Sequence, residues 1–144
     1  MPDTDELAAL LQPYRTAHLA TADAAAVPHV IPICFVYDGR AIYSAVDHKP
    51  KRATGYRMKR IQNILANPHV AFIVDHYDED WEQLAYVLIR GTASVLENGA
   101  ERQHALHLLE AKYSQYLQRQ LANDTGLVVK IVPETVRHWT WHKS

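Results

Sequence analysis

The chain has one cysteine, Cys34, in 144 residues. That excludes an internal disulfide and a thiolate zinc site. The five glycines are scattered, so no glycine-rich phosphate loop is present. Long hydrophobic runs are missing too: no segment approaches the ~18 apolar residues of a spanning helix. The N-terminus, Met-Pro-Asp-Thr-Asp-Glu, is acidic and has no apolar centre, unlike a signal peptide. These absences predict a protein of the reducing cytoplasm, without membrane segments. With 48% hydrophobic and 22% charged residues the composition is that of a folded protein, and the length suits one domain over residues 1–144.

Net charge is −1, but its distribution is uneven. Residues 49–60 contain Lys49, Lys51, Arg52, Arg57, Lys59 and Arg60 and no acid, so the rest of the chain is net negative by seven. Such a cluster is either a solvated face or an anion site. Nucleic acid fits poorly, because the chain is acidic overall and only Tyr56 interleaves with the cations for stacking. A phosphate ester fits better. Ser44 ends a predicted strand, a basic loop follows, and Lys59 and Arg60 open a predicted helix whose first amides suit an anion.

Periodicity predicts a helix from Asp3 to about Pro13, with Leu7, Leu10 and Leu11 on one stripe. Strands are predicted over residues 16–22, 28–37 and 40–46, the last two joined through Asp38-Gly39 as a hairpin. A helix over 57–67 carries Met58, Ile61, Ile64 and Leu65, and Asn67-Pro68 ends it. Strands over 69–75 and 84–96 follow, with Gly91 as a bend or barrel corner. The longest helix is placed at 100–121, with Leu106, Leu109, Tyr113, Tyr116, Leu117 and Leu121 as its apolar stripe. A final strand over 127–141 is interrupted at Pro133. About six strands linked by hairpins predict a mainly β fold, a small antiparallel barrel with helices outside. A barrel that small is filled by its own side chains, so a sizeable ligand belongs on its surface or between subunits.

Pro32 sits inside an apolar strand, where it implies an edge or a bulge. Unpaired backbone beside it suits the polar rim of a flat ring, although a plain protected edge is the simpler reading. Nine histidines include pairs at His104/His107 and His138/His142, but neither pair has a third ligand at matching spacing, so no metal site is predicted. Cys34 reads as a buried core residue. Alternating Trp139 and Trp141 suit packing or a subunit interface, with Trp139 as a stacking partner for a cofactor in the alternative.

Taken together, PHVIPICFVYDGRAIYSAVDHKPKR, MKRIQNILANPHVAFIVDHYDEDW and YVLIRGTASVL give the chain a family likeness. It resembles the pyridoxamine 5′-phosphate oxidase-like split β-barrel proteins, and among them the coenzyme F420-dependent branch, over residues 16–141. The resemblance implies a homodimer with cofactor sites in clefts between subunits. It implies phosphate contacts from Lys59, Arg60 and Ser44, with Lys51 and Arg52 as further cations of the loop. It also implies that the strand Val30–Cys34, through Ile31, Pro32 and Ile33, lies along the ring. The implied activity is hydride transfer between a deazaflavin, coenzyme F420, and a small unsaturated molecule. FMN with reductase chemistry is the alternative cofactor, and a non-catalytic flavin carrier the alternative of another class. No catalytic acid or base is nominated, and no residue set matches a pyridoxamine phosphate substrate. Heme- or bilin-directed activity stays open as a substrate choice.

Overall fold

A computed structural model describes residues 2–46, 55–123 and 126–141. Helix α1 spans Thr4–Leu11, and the carboxylate of Asp3 caps it by accepting from the Glu6 amide at 2.8 Å. Seven strands follow: β1 Ala17–Ala22, β2 Pro28–Ile33, β3 Val36–Tyr37, β4 Ile42–Ala45, β5 His69–His76, β6 Ala85–Leu96 and β7 Val128–Thr140. Helix α2 (Lys59–Ala66) separates β4 from β5, and helices α3 (Ala100–Lys112) and α4 (Ser114–Gln118) separate β6 from β7. All pairings are antiparallel, in the order β2-β1-β5-β6-β7-β4-β3.

That order closes the fold. Strands β2 and β3 are the two edges of the sheet, yet only Cys34 and Phe35 separate them in the chain. Three Cα steps reach at most ~11 Å, so the sheet must curl until its edges nearly meet. Inside the curl, Leu19 lies opposite Phe72 and Phe72 opposite Ile89, each almost fully buried. The ring of Phe35 meets Phe72 edge-on at 4.9 Å. From α2, Ile61 and Ile64 join this core. A second core lies outside the barrel, where Leu106 and Leu109 of α3 cover Tyr43 and Ala45. Every residue of β4 is therefore buried, because both of its faces are packed.

The structure departs from the predicted elements in ways with physical causes. The strand expected over 28–37 breaks at Cys34-Phe35, raising the strand count from about six to seven. Phe35 leaves the ladder because side chains take over its backbone groups. Its N–H donates to Tyr113 Oη at 3.0 Å, and its carbonyl accepts from Lys112 Nζ at 2.9 Å. The same Tyr113 ends the predicted long helix: it turns extended, and α3 stops at Lys112. Leu117, expected on the buried stripe, is accordingly 60% exposed, as is Leu65 of α2 at 61%. In place of Leu65, α2 buries Asn63, whose amide donates to the buried Thr21 hydroxyl at 3.0 Å.

Pro133 does not interrupt β7. Between the pairs Arg90–Thr135 and Gly91–Pro133 the register shifts, leaving Glu134 as an extra residue in a bulge. Gly91 sits at that corner because nothing larger fits: a Cβ there would stand 2.2 Å from the Val132 carbonyl oxygen. Pro32 is on an edge as predicted, since β2 pairs with β1 alone.

Candidate functional site

Curling the sheet brings the end of β2 beside β4, although they are far apart in strand order. A cleft of about 320 Å³ forms there, lined by Ile31, Pro32, Ile33 and Cys34 from the β2 edge, Ser44 and Ala45 from β4, Met58 and Arg60 from the start of α2, and Tyr116 from α4. Of the residues expected to hold a cofactor, this one cleft gathers Ile31, Pro32, Ile33, Ser44 and Arg60. As an edge strand, β2 turns alternate backbone N–H and C=O groups away from β1, free to meet a polar ring edge. Ser44 is buried at the opposite wall. Met58 precedes α2 without giving it a side-chain cap, and its carbonyl accepts from the Ile61 amide at 3.1 Å.

The adjacent cations part company. Successive helical residues point about 100° apart. Arg60 turns into the cleft, whereas Lys59 reaches the β1–β2 turn, 3.9 Å from the Asp23 carboxylate. Asp23 is organised for its own turn, accepting from the amides of Ala25 at 2.8 Å and Val27 at 3.0 Å. The Val27 bond is the main cause that holds its carboxyl below the usual range. Lys51 and Arg52 lie outside the described residues. Val30 is on the outer face of β2, 62% exposed, and does not line the cleft. Trp139 stands on the outer face of β7, stacked on Tyr86 with ring centroids 5.5 Å apart, and also lies away from the cleft.

Sequence reasoning did not place Tyr116 or Met58 at this site; it read Cys34 as core from its apolar strand, while the family resemblance set it at the end of the ring strand. Cys34 is half-buried and lines both this cleft and an adjoining one of about 310 Å³, formed with Arg15, Tyr113, Tyr116 and Arg119. The two share Cys34 and Tyr116, making a groove with a polar end at Ser44 and Arg60 and an aromatic, cationic end at Tyr113 and Arg119. Such a groove suits an elongated, flat, anionic molecule. Only the break of the long helix at Tyr113 delivers Tyr116 here, and no glycine or proline marks that break in the sequence.

Comparisons with known proteins agree with this architecture. A conserved hypothetical protein from Mycobacterium tuberculosis superposes with a TM-score of 0.76 at 21% identity, over 100% of this chain and 92% of its own. An FAD-binding protein from Mesorhizobium loti gives 0.66 at 23% identity, over 95% and 92%. HutZ, the heme storage protein of Vibrio cholerae, gives 0.71 at 18% identity, over 97% and 95%. At these identities the likeness is one of fold. No curated protein matches the chain. The family model for pyridoxamine 5′-phosphate oxidase matches residues 3–140, and the chain therefore belongs to the pyridoxamine 5′-phosphate oxidase-like family of split β-barrels.

Proposed function

We propose that the chain is a homodimeric oxidoreductase that takes a deazaflavin, coenzyme F420, at the Ser44–Arg60 cleft, with FMN as the rival cofactor. The observation that carries this reading is the meeting of an open strand edge, Ile31–Ile33, with Ser44 and Arg60 in one cleft. When bound, such a cofactor supplies hydride transfer to or from a small unsaturated molecule. The protein's part is positional. Arg60 and Ser44 would hold a phosphate group, β2 would set the ring's orientation, and Tyr116 would close one side of the groove.

Charge favours the deazaflavin, whose longer anionic tail suits the six cations of residues 49–60 better than a single phosphate does. Two observations support FMN: two fold neighbours are FAD-binding proteins, and the described cation at the cleft accounts for one phosphate. A second copy of the chain suits the sheet's outer face, where Val30, Pro32 and Trp139 stand exposed, with Val30 beside Ala20 and Pro32 beside His18. Covering that face would also enclose a cleft that is open in the single chain.

Titrating cofactor-stripped protein with coenzyme F420 and with FMN, followed by the fluorescence of its three tryptophans, tests this. Tighter binding of F420, together with turnover of an enone or quinone by the loaded protein, is the expected result. A preference for FMN moves the protein to the rival cofactor. Binding without turnover of any acceptor makes it a carrier, and no binding of either overturns the reading.

A further inference from the structure

A further cleft of about 500 Å³ lies where α1 meets α3 above β3; it shares no residue with the Ser44–Arg60 cleft and only Arg15 with the adjoining one. Its walls are mostly apolar, with Leu11, Phe35, Val36 and Leu108 prominent, but Arg15 and Lys112 also line it. Among the described residues no acidic side chain does. The two cations have other partners. Lys112 Nζ lies 3.7 Å over the Phe35 ring and donates to the Phe35 carbonyl at 2.9 Å. The Arg15 guanidinium lies 4.7 Å over the Tyr113 ring and donates to the Lys112 carbonyl at 2.7 Å. Neither forms an ion pair among the described residues.

Two like charges are thus drawn into an apolar cleft where, among the described residues, neutral acceptors and ring faces are their hydrogen-bond and stacking partners. Partly desolvated charge without a counter-ion is costly, and an incoming anion relieves the cost. Each cation keeps donors in reserve, since Arg has five N–H groups and Lys three, and one of each is engaged. The volume falls in the range of small-molecule sites, and the walls suit a hydrocarbon body better than a sugar or a nucleotide.

We propose that this cleft binds an amphipathic monocarboxylate, its head between Arg15 and Lys112 and its apolar body along Leu11, Val36 and Leu108. Burial, and then repulsion from Arg15, brings Lys112 down to about 8, with the Cys34 thiol opposing. The Tyr113 phenol faces the same amine, whose Nζ is 5.2 Å from that ring's centroid. A bound carboxylate favours the charged amine, so binding near pH 8.5 takes up a proton and weakens as pH rises further.

Calorimetric titration of the full chain with octanoate, against octanol as the neutral match, tests the proposal. At pH 7 octanoate is expected to bind at least ten-fold tighter than octanol. Lys112→Met and Arg15→Gln should each remove most of that preference while leaving octanol unchanged. At pH 8.5, two buffers of different ionisation enthalpy should reveal proton uptake in the native chain and none in Lys112→Met. Equal binding of the two probes by the native protein overturns the proposal without need of any variant, as do folded variants that keep the preference. Arg60 lies outside this cleft, and Arg60→Ala should bind octanoate like the native chain while losing cofactor affinity, so this proposal and the cofactor reading fail separately.

Discussion

The phenol of Tyr113 stands in for a neighbouring strand at Phe35, 78 residues away: it accepts the Phe35 N–H at 3.0 Å and lies 2.9 Å from the Phe35 carbonyl oxygen. The hydroxyl has one proton to give, and the Arg15 carbonyl is also at 2.9 Å. With Lys112 already donating to Phe35 O, the proton is free for Arg15 O, and every group is satisfied. Tyr113→Phe keeps the ring but strands a buried N–H. We expect it to cost about 1–3 kcal/mol, measured by urea unfolding. Because Phe35 adjoins Cys34, which lines both halves of the groove, the variant should also loosen cofactor binding. An unchanged midpoint would show that the β2–β3 break does not depend on this bond.

Gly91→Ala should be more damaging than most surface-strand substitutions. The new methyl would meet backbone at the β6–β7 corner, the Val132 carbonyl oxygen at 2.2 Å and Pro133 Cα at 3.2 Å, and backbone cannot rotate away as a side chain can. Overpacking of this kind costs about 1–3 kcal/mol or more. A lowered urea midpoint at unchanged slope is the expected outcome. Equal stability would mean that the bulge at Glu134 shifts without cost.

How legible the fold was depends on which forces left a local trace. Strands β1, β4, β5, β6 and β7 follow from alternation and β-branched runs, and both the Pro32 edge and the Gly91 corner follow from backbone chemistry. What the sequence concealed rests on long-range side-chain-to-backbone bonds. Tyr113 looks like one more residue of an apolar helical stripe, and nothing local says that it will turn to Phe35. The same event exposes Leu117 and carries Tyr116 to the groove. Among the residues lining the candidate cleft, Ser44 and Arg60 were legible from the order strand, basic loop, helix, and Ile31–Ile33 from the Pro32 edge and the family resemblance. The divergence of Lys59 was not, because it depends on Asp23 in a turn 36 positions earlier.

Lys112 links stability to pH in a direction opposite to the usual lysine. Burial and Arg15 depress it to about 8 from its ordinary 10.5. Between those values the unfolded chain binds a proton that the folded chain has released, so stability rises with pH in that window. Below about pH 8 both states are charged, and the cost of holding the amine in the fold is fully felt. Above about 10 Tyr113 acts the other way, since burial raises its phenol to about 12 and the unfolded chain ionises first. The stability difference between the native chain and Lys112→Met isolates the lysine. Measured by urea unfolding at pH 7, 8.5 and 9.5, that difference should move in favour of the native chain as pH rises. A flat difference would place the amine in an environment no different from water.

Arg60 and Lys59 are neighbours in sequence with unequal expected effects on cofactor affinity. A charge-assisted hydrogen bond from Arg60 to a phosphate contributes ~1.5–3 kcal/mol, so Arg60→Ala should weaken binding by roughly 10- to 100-fold. Lys59 stands 3.9 Å from Asp23 with half its side chain exposed, directed to the β1–β2 turn rather than into the cleft. Lys59→Ala should therefore change affinity by no more than a few-fold, through the general field of the basic segment. Ser44→Ala removes a buried hydroxyl from the same wall as Arg60. It should fall between the two, and combined with Arg60→Ala it should give less than the sum, because both groups would hold one phosphate. Fluorescence titrations of the native chain and the four variants at two salt concentrations separate the effects: loss through Lys59 should fade with salt, and loss through Arg60 should persist. Equal effects of the two cations would mean that the anion lies across the helix start, between them, rather than inside the cleft beside Ser44.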